Sequence, residues 1–270
     1  MDAAQVTLNL LSQLVFQSKL AFLHDLAKAS SNPLTASPGS PPIKIFSQND
    51  EDGILARIFQ RIGSNGPGSF LELGVDANLE CNSLALLYAG WKGTWVDAVN
   101  HNLNKQNPKL QIIEEWVTVE TLSSIISRTV SFNEGSTELD FLSIDLDGND
   151  LYVLRAILKK LTAKVICLEY NPHYIPPARF SIDYDPVHNV EGDFYGASLQ
   201  LFVDELKGRY RLVATNLTGV NAFFVDIKYS QNFQDITDNV LSLYTPPRYY
   251  STAFDRLHPI SQKSIKKALN

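Results

Sequence analysis

The chain has 270 residues, 44% hydrophobic and 19% charged, with a formal net charge of -6. That balance supplies a core and excludes disorder of the whole chain, which needs low hydrophobicity and high net charge. An acidic chain speaks against a nucleic-acid partner, because phosphate backbones are bound by cationic patches. Lys263, Lys266 and Lys267 form one short basic stretch that reads as a solvated helix face. Cys81 and Cys167 are too few for a disulfide framework or a cysteine-rich zinc site, and suit a reducing, cytoplasmic compartment. No apolar run reaches the roughly 18 residues of a membrane span. The N-terminus, with Asp2 and no basic segment before its apolar stretch, does not read as a secretory signal.

Residues 1–30 predict an amphipathic helix, since Val6, Leu10 and Leu14, then Leu11 and Val15, recur at spacings of three and four. Residues 31–42 are rich in Ser and Pro and predict a flexible linker. The helix is then an arm with three open readings: packing on its own domain, joining a second copy in a homo-oligomer, or binding a partner. Residues 43–270 form the main domain. Ser47 is its first expected N-cap, followed by Asp50 and Glu51 and the stripe Ile54, Ile58, Phe59 and Ile62. Short apolar runs follow at Phe70–Leu73, Thr94–Asp97, Leu110–Glu114, Phe141–Ile144 and Val165–Leu168. They alternate with helical stretches near 80–89, 118–130, 149–160 and 197–207. That alternation predicts a parallel sheet covered on both faces. Arg211–Thr215 and Ala222–Asp226 predict a closing hairpin, and the Tyr- and Pro-rich tail an irregular wrap over the sheet edge.

Ligands of open α/β sheets bind at the carboxyl ends of the strands. Those ends carry Glu72, Gly74 and Asp76; Asp97; Asp145, Asp147, Asn149 and Asp150; and Glu169 to His173. Asp97 ends the second run, where an acid holds a ribose diol. Gly74 permits close approach of a ligand, but no G-x-G-x-x-G accompanies it, which disfavours a nicotinamide dinucleotide. A nucleoside without phosphates fits better. Asp145, Asp147, Asn149 and Glu169 offer oxygen ligands for Mg²⁺ or Mn²⁺. An EF-hand is excluded, because Ala156 stands at the twelfth position. The competing reading is a helix N-cap by Asp147 or Asn149. His173, in the loop after the fifth run, is the candidate general base for a hydroxyl proton. Tyr195, Ser198 and Asn221 either shape an acceptor site or satisfy backbone groups.

FLELGVDANLECNSLALLYAGWKGTWVDA resembles motifs I and II of class I S-adenosylmethionine-dependent methyltransferases. FSQNDEDGILARIFQRIG, DFLSIDLDGNDLYVL, VICLEYNPHY, YGASLQLFVDEL and GVNAFFVD resemble the FkbM-like subgroup, over roughly residues 43–228. The resemblance implies a Rossmann-like α/β fold with a seven-stranded sheet and a C-terminal β-hairpin. It implies methyl transfer to a hydroxyl, in preference to an amine, of a small molecule or glycan. It places Glu72, Gly74 and Asp76 in the S-adenosylmethionine pocket, Asp97 on the ribose, and Gln48 and Asp52 as a closure over the cofactor. Asn82 and Ser83 would face the methionine carboxylate, and Asp145 would stand where cofactor meets acceptor. The pocket acids suit a polyhydroxylated or cationic acceptor. A further glycine of the pattern is replaced here by Ala77 or Asn78. Asn78 tolerates positive φ, whereas Ala77 does not do so cheaply. With the arm, this motivates a second class of function, a non-catalytic binding or scaffold protein that kept the fold.

Overall fold

The computed structural model describes residues 3–36, 41–64, 66–75, 81–98, 107–188 and 192–248. Helix α1 spans Ala3–Lys28, and Leu23 on it is buried while Leu14 and Phe16 are exposed. No helix among the described residues is long and apolar enough to cross a membrane. The segment after α1, expected as a flexible linker, is anchored in part. Leu34 is fully buried in the main core, and the Asn32 amide donates to Val213 O at 2.8 Å. Arg57 donates to the carbonyls of Leu34, Thr35 and Pro41. One apolar side chain and three carbonyls with a guanidinium donor outweigh the Pro/Ser composition there.

Helix α2 (Glu51–Arg61) starts later than Ser47 suggested; its N-cap is Asp50, and the Ser47 hydroxyl turns instead to Asp52. The expected stripe is real, for Ile54, Ile58 and Phe59 are buried. The remaining elements run β1 (Ser69–Leu73), α3 (Leu84–Tyr88), β2 (Lys92–Asp97), β3 (Leu110–Glu114), α4 (Leu122–Phe132), β4 (Glu138–Ile144), α5 (Asp150–Ile157), β5 (Thr162–Glu169), α6 (Leu199–Leu206), β6 (Tyr210–Thr215) and β7 (Asn221–Asp226). The tail is not wholly irregular: a 3-10 helix covers Ile227–Phe233 and α7 covers Val240–Leu243. Arg211 gathers it by donating to the carbonyls of Ser230, Phe233 and Ile236.

All seven strands form one sheet in the order β3-β2-β1-β4-β5-β7-β6, with β7 antiparallel to both neighbours. This is a Rossmann-like seven-stranded sheet with a closing hairpin, as the sequence resemblance implies. Strand order reverses between β1 and β4, which opens a crevice at their carboxyl ends. Side chains alternate faces along a strand, so register decides which ones meet. Trp95, Glu72, Ser143, Cys167 and Phe223 are successive cross-strand partners and share one face. Helix α2 covers that face, with the Phe59 ring 6.5 Å from Phe141. Its N-terminal acids therefore lie over the carboxyl ends of the strands. One pleat further along, Asp145, Glu169 and the partner of Glu169, Asn221, continue the same face.

Candidate active site

The acids of this site divide by what already bonds them. Glu72 is buried and accepts from Asn82 N at 2.7 Å, from Ser83 N at 3.0 Å and from the Ser83 hydroxyl. It pins the turn that opens α3. Burial still raises its pKa, against the lowering by those donors. The Asn82 amide reaches Ser143 Oγ at 3.1 Å, and Ser83 Oγ accepts from Trp95 Nε1 at 2.8 Å. Asn82 and Ser83 thus turn their side chains and their N–H groups inward to this network. Asp76, like Ala77, Asn78 and His101, lies outside the described residues. Asp97 ends β2 half-exposed, with one carboxylate oxygen 2.9 Å from Val75 N.

Asp52 is 5% exposed, and its Oδ2 accepts from the N–H groups of Ile45, Phe46 and Ser47 and from the Ser47 hydroxyl. Successive N–H groups pointing at one oxygen form an anion nest. Its Oδ1 is buried with no partner. Gln48 is half-buried beside it, with Oε1 3.4 Å from Asn49 Nδ2. Glu51, for which the sequence offered only a helix-start role, is fully buried. It accepts from Asn49 N at 2.6 Å, Asn216 Nδ2 at 2.7 Å and Asn221 Nδ2 at 3.3 Å. A N-D-E-D run ahead of an apolar stripe was the available signal, but it reads equally as a solvated first turn.

Across the crevice, Gly74 adopts φ +80° and backs onto the Asp145 carbonyl; a Cβ there would stand 1.6 Å from that oxygen. Only glycine lets the β1 and β4 loops touch. Asp150 organises the β4 loop by accepting from Leu146 N and Gly148 N, both at 2.9 Å. Asp147, at φ 54°, is exposed on the same turn. Asn149 turns away, exchanging hydrogen bonds with the backbone of Asp185 at 2.6 and 3.2 Å. Of the four expected oxygen ligands, Asp145, Asp147 and Glu169 therefore come together, with ligand atoms within 4.8 Å of one another. The carboxylates of Asp145 and Glu169 face each other in this cluster. Burial first, then the neighbouring acids, raises the pKa of both. Glu169 is 8% exposed, and its Oε2 has no partner.

His173 is held through its backbone N and its Nδ1, both 3.1 Å from Asn171 Oδ1. Asn171 is fixed in turn by donating to the carbonyls of Asp193 and Tyr195. An amide oxygen at Nδ1 favours the tautomer with the proton there. His188, for which the sequence gave no site argument, packs on the acidic turn: a Cβ at Gly148 would stand 2.5 Å from its Cδ2. Forty residues separate the two, and no local pattern signals the contact. Ser198 is occupied as the N-cap of α6 and by Phe180 N and Ala178 O.

No protein-family model and no curated protein matches the chain. Among solved structures, it is similar to the MycE methyltransferase of the mycinamycin biosynthetic pathway, solved with Mg and S-adenosylhomocysteine. Identity is 16%, the TM-score 0.45, and the match covers 75% of this chain and 54% of that one. The chain thus spans about half the length of MycE. An O-methyltransferase from Bacillus cereus, solved with S-adenosylhomocysteine, matches at 16% identity and TM-score 0.38, over 77% of this chain and 89% of its own. A fibrillarin/Nop5p complex matches at 11% identity and TM-score 0.38, over 60% and 74%. The fold assignment rests on strand order and direction, not on these distant likenesses.

Proposed function

We propose that the chain is an S-adenosylmethionine-dependent methyltransferase acting on a hydroxyl, in preference to an amine, of a small molecule or glycan. The observation that carries this reading is the crevice between β1 and β4, with Gly74 pressed on the Asp145 carbonyl and Asp97 at the end of β2. Asp97 would hold the ribose, the Gly74 turn would pass the methionine part, and Asp145 would face the acceptor. Methyl transfer is chiefly a positioning problem, since two reactants must be held in line. His173 would take the hydroxyl proton, its ring oriented by Asn171.

Asp145, Asp147 and Glu169 fit a divalent cation. Their donors are all oxygen, and Glu169 Oε2 is buried with no partner, as a ligand awaiting an ion would be. Mg²⁺ or Mn²⁺ would act there as a Lewis acid that eases loss of the hydroxyl proton.

Calorimetric titration with S-adenosylmethionine and S-adenosylhomocysteine, with and without Mg²⁺, tests the reading. Micromolar binding is expected, together with its severe loss in Asp97→Ala. No binding at millimolar ligand by folded protein would instead favour a non-catalytic binding module.

A further inference from the structure

The three residues ahead of His173 are each tied to a different segment. Tyr170 is fully buried; its N–H donates to Val220 O at 2.9 Å and its hydroxyl to Thr245 O at 2.7 Å. Asn171 is fully buried as well, and its N–H donates to Ala197 O at 2.8 Å. Its amide NH2 donates to Asp193 O at 2.7 Å and to Tyr195 O at 3.0 Å. The Pro172 carbonyl accepts from the Tyr244 hydroxyl at 2.5 Å. Two carbonyls at one end of the Asn171 amide decide its orientation, because only the NH2 group can donate to them. Oδ1 is therefore the end that faces His173, whose backbone N–H donates to it at 3.1 Å. Nδ1 of the ring stands 3.1 Å from the same oxygen. An amide oxygen only accepts, so the hydrogen bond there puts the proton on Nδ1. In a neutral imidazole the lone pair then lies on Nε2.

We propose that Asn171 is a positioning residue of the reaction: it locks His173 in the Nδ1–H tautomer, so that Nε2 is the atom that takes the proton of the acceptor hydroxyl. The proposal rests on the methyl-transfer reading above. The hydroxyl O–H bond breaks as its oxygen takes the methyl group. The electron pair of that bond stays on oxygen, the proton passes to Nε2, and the donor sulfur keeps the pair of the bond it loses. The imidazolium retains its Nδ1–H bond to Asn171, so taking up the proton needs no rearrangement of the ring. A merely structural Asn171 would use its amide donors for residues 193–197 and leave the tautomer of His173 unset.

The test is isotope-edited NMR of the histidine ring nitrogens in the full chain, with the rings neutral. His173→Gln identifies the His173 signals among the five histidines. The wild type is expected to hold Nδ1–H over Nε2–H by a ratio on the order of tenfold, which one hydrogen bond sustains. Asn171→Ala should release the ring and bring that ratio down by on the order of tenfold. Added S-adenosylhomocysteine should shift the Nε2 signal more than the Nδ1 signal. A wild-type ring in the Nε2–H form, or an unchanged ratio in folded Asn171→Ala, would overturn the proposal. The wild-type ratio decides the lock even where Asn171→Ala fails to fold. S-adenosylhomocysteine that binds by calorimetry yet leaves both ring signals unmoved would place His173 away from the reacting atoms and also overturn it. If S-adenosylhomocysteine fails to bind, the methyl-transfer reading fails and the role of Nε2 with it, while the tautomer ratio separately decides the hold of Asn171 on the ring.

Discussion

Glu72 and Glu169 both stand at the carboxyl ends of strands, on the same face of the same sheet, yet they are bonded in opposite ways. Every donor around Glu72 belongs to the protein, and together they fold the turn into α3. Glu169 meets another acid, Asp145, and keeps one buried oxygen without a partner. The β1 side of the site spends its acid on architecture. On the β4–β5 side, Glu169 keeps a buried oxygen to which no described residue donates. A strand-end carboxylate is thus a chemical candidate only after its donors have been counted.

The largest expected effect follows on the β1 side. Glu72→Ala leaves the buried N–H groups of Asn82 and Ser83 and the Ser83 hydroxyl without their acceptor. At about 1–3 kcal/mol for each of the three stranded donors, the loss should be at least about 3 kcal/mol in urea unfolding. A change below 1 kcal/mol would show that the turn has another anchor.

Asp50 tests the same contrast through pH. It is buried, it accepts from Leu217 N at 3.0 Å, and burial, then Glu51, pushes its pKa from 3.8 up to about 8. A carboxyl raised in the folded state favours folding while protonated. Its contribution is full below pH 3.8 and is lost as pH rises through about 8. Asp50→Asn keeps an acceptor for Leu217 and cannot ionise. Melting curves from pH 5 to 8 should therefore fall less steeply than wild type, with the variant more stable at pH 8. Asp150, raised to about 6 by burial, tilts both proteins alike, so the difference between them isolates Asp50. Parallel curves would mean that Asp50 ionises as freely folded as unfolded.

Asn149 belongs to the architectural class despite its place in the acidic turn. Asn149→Ala removes two hydrogen bonds to Asp185 and should cost about 1–2 kcal/mol. Mg²⁺ affinity, read by calorimetry, should shift only through the loosened 183–188 segment. A loss of Mg²⁺ binding with unchanged stability would return Asn149 to the ligand set.

Much of this was readable in the chain. The apolar runs mark the strands to within a few residues, because buried parallel strands need near-continuous apolar sequence. Asn216–Asn221 marks the hairpin turn, and the acids at the strand ends mark the crevice. What could not be read is which acid is already bonded. The donors to Glu72 come from a turn ten residues away, and those to Asp52 from backbone N–H groups that converge only when residues 45–47 fold over α2. Nor does Gly148 announce that it makes room for the ring of His188. Leu34 lies in a Pro/Ser-rich segment, yet its burial shows that composition averages over the one side chain that docks.

The smallest effect on folding is expected where the chemistry is placed. Glu169→Gln replaces one carboxylate of the cluster by an amide, which offers Asp145 a donor in place of a like charge. Stability should change by less than about 1 kcal/mol, or rise, since replacing one of two close carboxylates relieves repulsion. Divalent-ion affinity should fall at least on the order of tenfold, because an amide is a weaker ligand than a carboxylate for a hard cation. Isotherms with Mg²⁺ and thermal melts of the same preparation read both quantities. A strongly destabilised variant would place Glu169 with Glu72 among the structural acids. Unchanged ion affinity in a stable one would remove it from the ligand set.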